Sequence, residues 1–200
     1  MNSVLGVNLK NILAFGVLAG LSVSVSEAAS VYLSPASQVN IYDPNASASE
    51  NTVSVGLWMD FTNEPTIGGG IDLDFQGDIS MGVFTPSSYF TGTADPDFTG
   101  HGTTYADADY EIHFGGFSGL SGVNKLGDIS VNLLDIGEGS IRLAINSYWG
   151  GFYGIDLKPM SVDLSRGAQI TASAVPAPAG VWLLLSGLVA LVTQRRVRHR

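Results

Sequence analysis

The chain predicts an all-β fold, a jelly-roll-like β-sandwich of about nine strands. Three observations predict it. Short apolar runs alternate with polar residues at period two between residues 30 and 174. Gly, Pro, Asn and Asp punctuate those runs at strand-length intervals. Nothing in this region carries the 3.6-residue period of a helix at useful length.

The elements follow in order. Val31-Tyr32-Leu33 opens the series and Val39 to Tyr42 follows, with Asp43 to Asn51 as a polar loop. Thr52 to Phe61 is the clearest strand. Val53, Val55, Leu57, Met59 and Phe61 share one face, and Ser54, Gly56, Trp58 and Asp60 the other. Ile71, Leu73 and Phe75 face the core of the next strand, and Ile79 to Phe84 forms another. Thr85 to Tyr105 has no periodicity and reads as a long loop of functional length. Tyr110 to Phe114 resumes alternation, and Gly115 to Gly122 reads as a glycine-rich turn. Leu126 to Leu134 and Ser140 to Ser147 are strands, the latter with Ile141, Leu143 and Ile145 inward. Tyr148 to Tyr153 is an aromatic loop, and Met160 to Leu164 and Gln169 to Ser173 are the last strands.

Both ends stand apart from this domain. Residues 1–29 read as a secretory signal peptide: Lys10 supplies its positive n-region, Ile12 to Val25 is apolar, and Ser26-Glu27-Ala28 offers a cleavage site after Ala28 or Ala29. The Sec translocon and signal peptidase are the partners this implies. At the other end, Val175, Pro176, Ala177, Pro178 and Ala179 precede an apolar run suited to a transmembrane helix over about 179–194. Arg195, Arg196, Arg198 and Arg200 then form a basic stop on the cytoplasmic side.

Those three parts, in that order, resemble the PEP-CTERM class of C-terminal sorting signals in its VPxPA form, with Val-Pro-Ala-Pro-Ala in place of the Pro-Glu-Pro core. The resemblance implies export, transient residence in the inner membrane, processing by an exosortase, and delivery to the cell surface or extracellular matrix. A helix that is never cut leaves instead a membrane-anchored, periplasm-facing domain.

The middle of the chain also resembles a known module. Gly68-Gly69-Gly70-Ile71 through Phe75, then the stretch from Gly116 to Gly122, Leu126 to Val131 and Gly137 to Leu143 are similar to the bacterial cohesin-like domain. Gln76-Gly77-Asp78 departs from the family's turn at that point. The resemblance implies a jelly-roll sandwich that acts as a structural or interaction module and binds a surface protein or polysaccharide. A carbohydrate-binding module is the alternative it leaves.

Composition narrows the chemistry. Residues 30–174 hold 17 acidic side chains against four basic ones, a balance of -13 that disfavours nucleic acid. Cysteine is absent, so packing and hydrogen bonds hold an exported domain without disulfides. No nucleophile elbow, metalloprotease helix, P-loop or dinucleotide fingerprint occurs, and no catalytic role is expected. Asp72 with Asp74 and Glu111 with His113 share strand faces and read as the solvated side of an acidic sheet. Asp95, Asp97, Asp107 and Asp109 bracket the long loop as a candidate Ca²⁺ set; no other cofactor is implied. Tyr148, Trp149, Phe152 and Tyr153 are a candidate ligand platform, or else a plug over the end of the core.

Overall fold

Alternation becomes packing most directly in the strand Thr52–Asp60, where Val55, Leu57 and Met59 are wholly buried and Ser54 is exposed. The structure, a computed structural model, describes residues 28–92, 95–174 and 186. The expectations for the signal peptide, the sorting motif, the transmembrane helix and the basic stop lie outside these, apart from Ala28, Ala29 and Ser186. Among the described residues no helix is long and apolar enough to cross a membrane.

Twelve strands are formed among the described residues: β1 Ser30–Ser34, β2 Ser37–Tyr42, β3 Thr52–Asp60, β4 Thr66–Gly77, β5 Ile79–Pro86, β6 Gly100–Gly102, β7 Tyr110–Leu120, β8 Val123–Leu133, β9 Gly137–Ile145, β10 Phe152–Gly154, β11 Pro159–Met160 and β12 Ala168–Ala174. The two that fall outside the expected strands, β6 and β10, are three residues long each, and β11, within reach of the expected Met160 to Leu164, is only two. One sheet runs β1-β3-β8-β5. The other runs β11-β10-β4-β9-β12-β2, with β7 also on β4 and β6 on β7. Apolar side chains from both sheets meet in one core around Phe61, Ile71, Leu73, Ile112, Phe114 and Ile129. The chain is a β-sandwich.

Several elements differ from expectation, each for a local reason. Leu126 and Ile129 are both buried although an odd spacing should put them on opposite faces. The register steps from Leu57↔Gly127 to Trp58↔Lys125, so Leu126 is the extra residue of a β-bulge and the phase resets there. Gly115 to Leu120 is not a turn but the second half of β7; only Ser121 and Gly122 turn the chain. The long segment holds a short helix, α1, at Ser88–Gly92, a 3-10 turn at Pro96–Phe98 and strand β6. Asp95 caps that turn and Pro96 begins it, local chemistry that leaves no periodic signature. Of Met160 to Leu164 only Met160 is in a strand, and Asp163 makes a single parallel bridge to Ser30. Ile145, expected inward, ends β9 and is 44% exposed.

Two strand directions position the site. β9 starts at Gly137 opposite Ala172, near the end of β12, and runs to Ile145 opposite Ile71 of β4. β4 passes that point in the opposite sense, so Gly68 and Gly69 lie still farther from Ala174.

Candidate functional site

β4 enters the sheet through Gly68, Gly69 and Gly70, which pair with Gly115, Phe114 and His113 of β7. Side chains are excluded there. A Cβ on Gly68 would lie 2.1 Å from the Phe114 carbonyl oxygen, and its φ of 129° suits glycine. A Cβ on Gly70 would meet the Trp149 ring at 2.7 Å. The bare backbone is therefore the floor on which aromatic rings stand.

Those rings wall a pocket of about 170 Å³, lined by Phe98, Phe117, His113, Trp149 and Tyr153 over the glycines. Phe98 and Phe117 meet edge to face at 4.9 Å and are 45% and 72% exposed. Trp149 stacks on His113 at 4.0 Å and meets Tyr105 and Tyr148 edge-on. Tyr105 and Tyr148 stack on one another at 4.2 Å, both exposed.

Carboxylates hold this wall from below. Asp72 and Glu111 face each other across β4 and β7 and are each 2% exposed. The Trp149 indole N–H donates to Glu111 Oε2 at 2.9 Å, and His113 Nδ1 lies 3.2 Å from the same oxygen. Asn146 Nδ2 donates to Asp72 Oδ1 and to the Tyr105 carbonyl, both at 2.8 Å, while Asn146 Oδ1 accepts the Trp149 amide. Asp107 accepts the Ser147 amide at 2.8 Å. The expectation of a solvated acidic face is therefore wrong for Asp72 and Glu111. Loops from residues 105–107 and 146–149 fold over them, and alternation alone does not tell a covered outer face from a wet one.

Burial, opposed by the Asn146 hydrogen bond, pushes the Asp72 carboxyl above its usual value. Such a group favours the folded state when protonated, and that contribution is lost as pH rises through its folded pKa. Asp72→Asn, which carries no charge, should therefore gain in melting temperature relative to wild type as pH rises from the ordinary carboxylate range through the raised folded-state pKa. A difference that stays flat with pH, followed by calorimetry, would show that Asp72 titrates as in the unfolded chain.

The expected site residues separate. Trp149 and Tyr153 line the pocket, Tyr148 lies beside it, and Phe152 does not belong to it. On β10 Phe152 points into the core, 1% exposed, against Phe61 and Phe114. Three of the four aspartates are taken up by backbone amides. Asp95 accepts the Asp97 amide, Asp107 that of Ser147, and Asp109 that of Phe75, with Asp97 exposed on the 3-10 turn. Among the described residues no group of three or more His, Asp and Glu is placed to hold a metal ion. Trp58, on the outer face of β3, lies under Lys125 at 5.9 Å. Phe98, Phe117, His113 and Tyr105 were not anticipated as pocket or platform residues; the consecutive glycines of β4 were the available signal of a close approach.

No protein-family model matches the sequence, and no curated protein matches it. Solved structures do. A cohesin from Clostridium acetobutylicum, determined in solution, aligns with a TM-score of 0.54 at 13% identity, covering 73% of this chain and 92% of that one. A chain of a type I cohesin–dockerin complex from Clostridium thermocellum gives 0.53 at 14% identity, over 74% of this chain and 95% of that one. A non-cellulosomal cohesin from the archaeon Archaeoglobus fulgidus gives 0.50 at 10% identity, over 73% and 91%. At these identities the likeness is one of fold: the chain has a cohesin-like β-sandwich.

Proposed function

We propose that this protein is an exported, non-catalytic interaction module of the cell surface or extracellular matrix, sorted there by an exosortase acting at Val175–Ala179. The observation that carries the reading is the aromatic pocket, open at the end of the sandwich remote from Ala174. Ten or so residues of strand separate the two, roughly 30 Å. A tail that holds Ala174 at a membrane thus presents the pocket outward. The expected jelly-roll topology and a protein partner accord with this reading, since one similar structure is a cohesin–dockerin complex.

Intact mass and fractionation, with and without the exosortase, test the sorting. A chain ending near Val175–Ala179 and a surface pool lost in the mutant are expected. A full-length chain remaining in the inner membrane would instead make this an anchored periplasmic domain. A second reading, a carbohydrate-binding module, draws on the exposed Tyr105–Tyr148 stack, a surface on which a sugar ring could lie. Glycan binding lost in Tyr148→Ala would favour it.

The other end of the chain gives a sharper expectation. Ala29 is 3% exposed and its carbonyl accepts the Asp163 amide at 2.8 Å, whereas Ala28 is exposed. Processing after Ala28 keeps this contact and processing after Ala29 removes it. N-terminal sequencing of the mature protein should start at Ala29; a start at Ser30 would show that the contact is dispensable.

A further inference from the structure

We infer that the pocket between β4, β7 and β10 takes one aromatic side chain of a partner polypeptide, flanked on that partner by Lys or Arg. The inference rests on the reading of the chain as an interaction module and names the chemistry of its partner. Size is the first ground. About 170 Å³ is close to the roughly 150 Å³ that encloses a benzene ring. One aromatic side chain is what such a space holds.

The character of the lining is the second. Phe98 and Phe117 form an exposed apolar rim, and the floor is glycine backbone. His113, Trp149 and Tyr153 bring the polar side-chain atoms, and both His113 Nδ1 and the Trp149 N–H are already held against Glu111. A sugar ring needs several convergent hydrogen-bond partners for its hydroxyls. An aromatic anchor needs none, and buried aromatic anchors in pockets dominate polypeptide recognition.

Charge is the third. No Lys or Arg lines the pocket. Asp95 and Asp97 immediately precede Phe98 on the 3-10 turn, and the Asp95 amide donates to the Gly115 carbonyl of the floor at 2.7 Å. Asp107 anchors Ser147 beside Tyr148. The cations of the sandwich are engaged or placed elsewhere: Lys125 pairs with Asp128, Lys158 with Asp156, Arg166 lies over Tyr32, and Arg142 is on β9. Acidic flanks around an apolar hole select an aromatic residue with basic neighbours and repel one with acidic neighbours.

Saturation-transfer NMR on the full-length protein tests this with three capped tripeptides, Lys-Trp-Lys, Glu-Trp-Glu and Lys-Ala-Lys, and with cello-oligosaccharides. Lys-Trp-Lys should bind at least tenfold more tightly than either other peptide. Phe117→Ser should weaken it at least fivefold while the melting temperature stays put, because that ring is 72% exposed. Equal binding of Glu-Trp-Glu removes the basic flanks, and equal binding of Lys-Ala-Lys removes the anchor. Oligosaccharide binding that Phe117→Ser abolishes makes the occupant a glycan. If no probe binds, the anchor chemistry falls. Surface retention of Phe117→Ser in the host then decides the broader reading: lost retention keeps a docking module, and unchanged retention removes it.

Discussion

Phe152→Ala is expected to lower the unfolding free energy by about 3–5 kcal/mol, the usual range for deleting a buried aromatic ring. Phe152 is 1% exposed and sits 5.7 Å from Phe61 and 5.8 Å from Phe114, ring centre to ring centre. It joins a strand of one sheet to the core side of the other. In a domain of this size each kcal/mol moves the melting temperature by about 2–4 °C, so a fall of about 6–20 °C follows. Binding should fall as well, because Gly69 of the pocket floor rests on the Phe152 ring, where a Cβ would come within 2.6 Å. Tyr153→Ala, one residue on and half-buried, should cost far less. Calorimetry of the two variants decides it: a loss below about 1 kcal/mol at Phe152 would place that ring outside the core.

The adjacent pair Phe152 and Tyr153 also marks where the sequence stops being legible. From Thr52 to Phe61 five alternating apolar residues fix the inward face unaided, and the structure puts Val55, Leu57, Met59 and Phe61 there at 0% exposure. β10 has three residues in a glycine-rich stretch, too few to set a phase, so core and pocket residues look alike. Gly115 to Leu120 was hidden for a related reason: glycines carry no pattern, although their backbone pairs as well as any other. Asp72 and Glu111 follow the alternation and are buried all the same. The loops that cover them come from residues 105–107 and 146–149, and the cover is a tertiary fact. The pocket rim is harder again. Phe98 and Phe117 lie in two segments without period, and only the folded sheet brings their rings to 4.9 Å.

Trp149→Ala should be the most damaging change at the site, because one residue serves as pocket wall and as cover for a buried carboxylate. Its ring is packed on His113, Tyr105, Tyr148 and the bare backbone of Gly70. Its N–H satisfies Glu111, which is 2% exposed and has no Lys or Arg partner among the described residues. Losing ring and donor together should cost about 3–5 kcal/mol. Trp149→Phe keeps an aromatic wall and removes only the donor, so about 1–3 kcal/mol is expected. Denaturant unfolding of the two variants separates packing from hydrogen bonding. Equal stability of Trp149→Phe and wild type would mean that the bond to Glu111 contributes nothing net. Binding should follow a different order: Trp149→Phe retains most of the affinity for the Lys-Trp-Lys probe and Trp149→Ala loses it. Phe117→Ser loses affinity without losing stability, since its ring is largely exposed. A site in which wall and rim respond so differently is built on the fold at its floor and open to a partner at its edge.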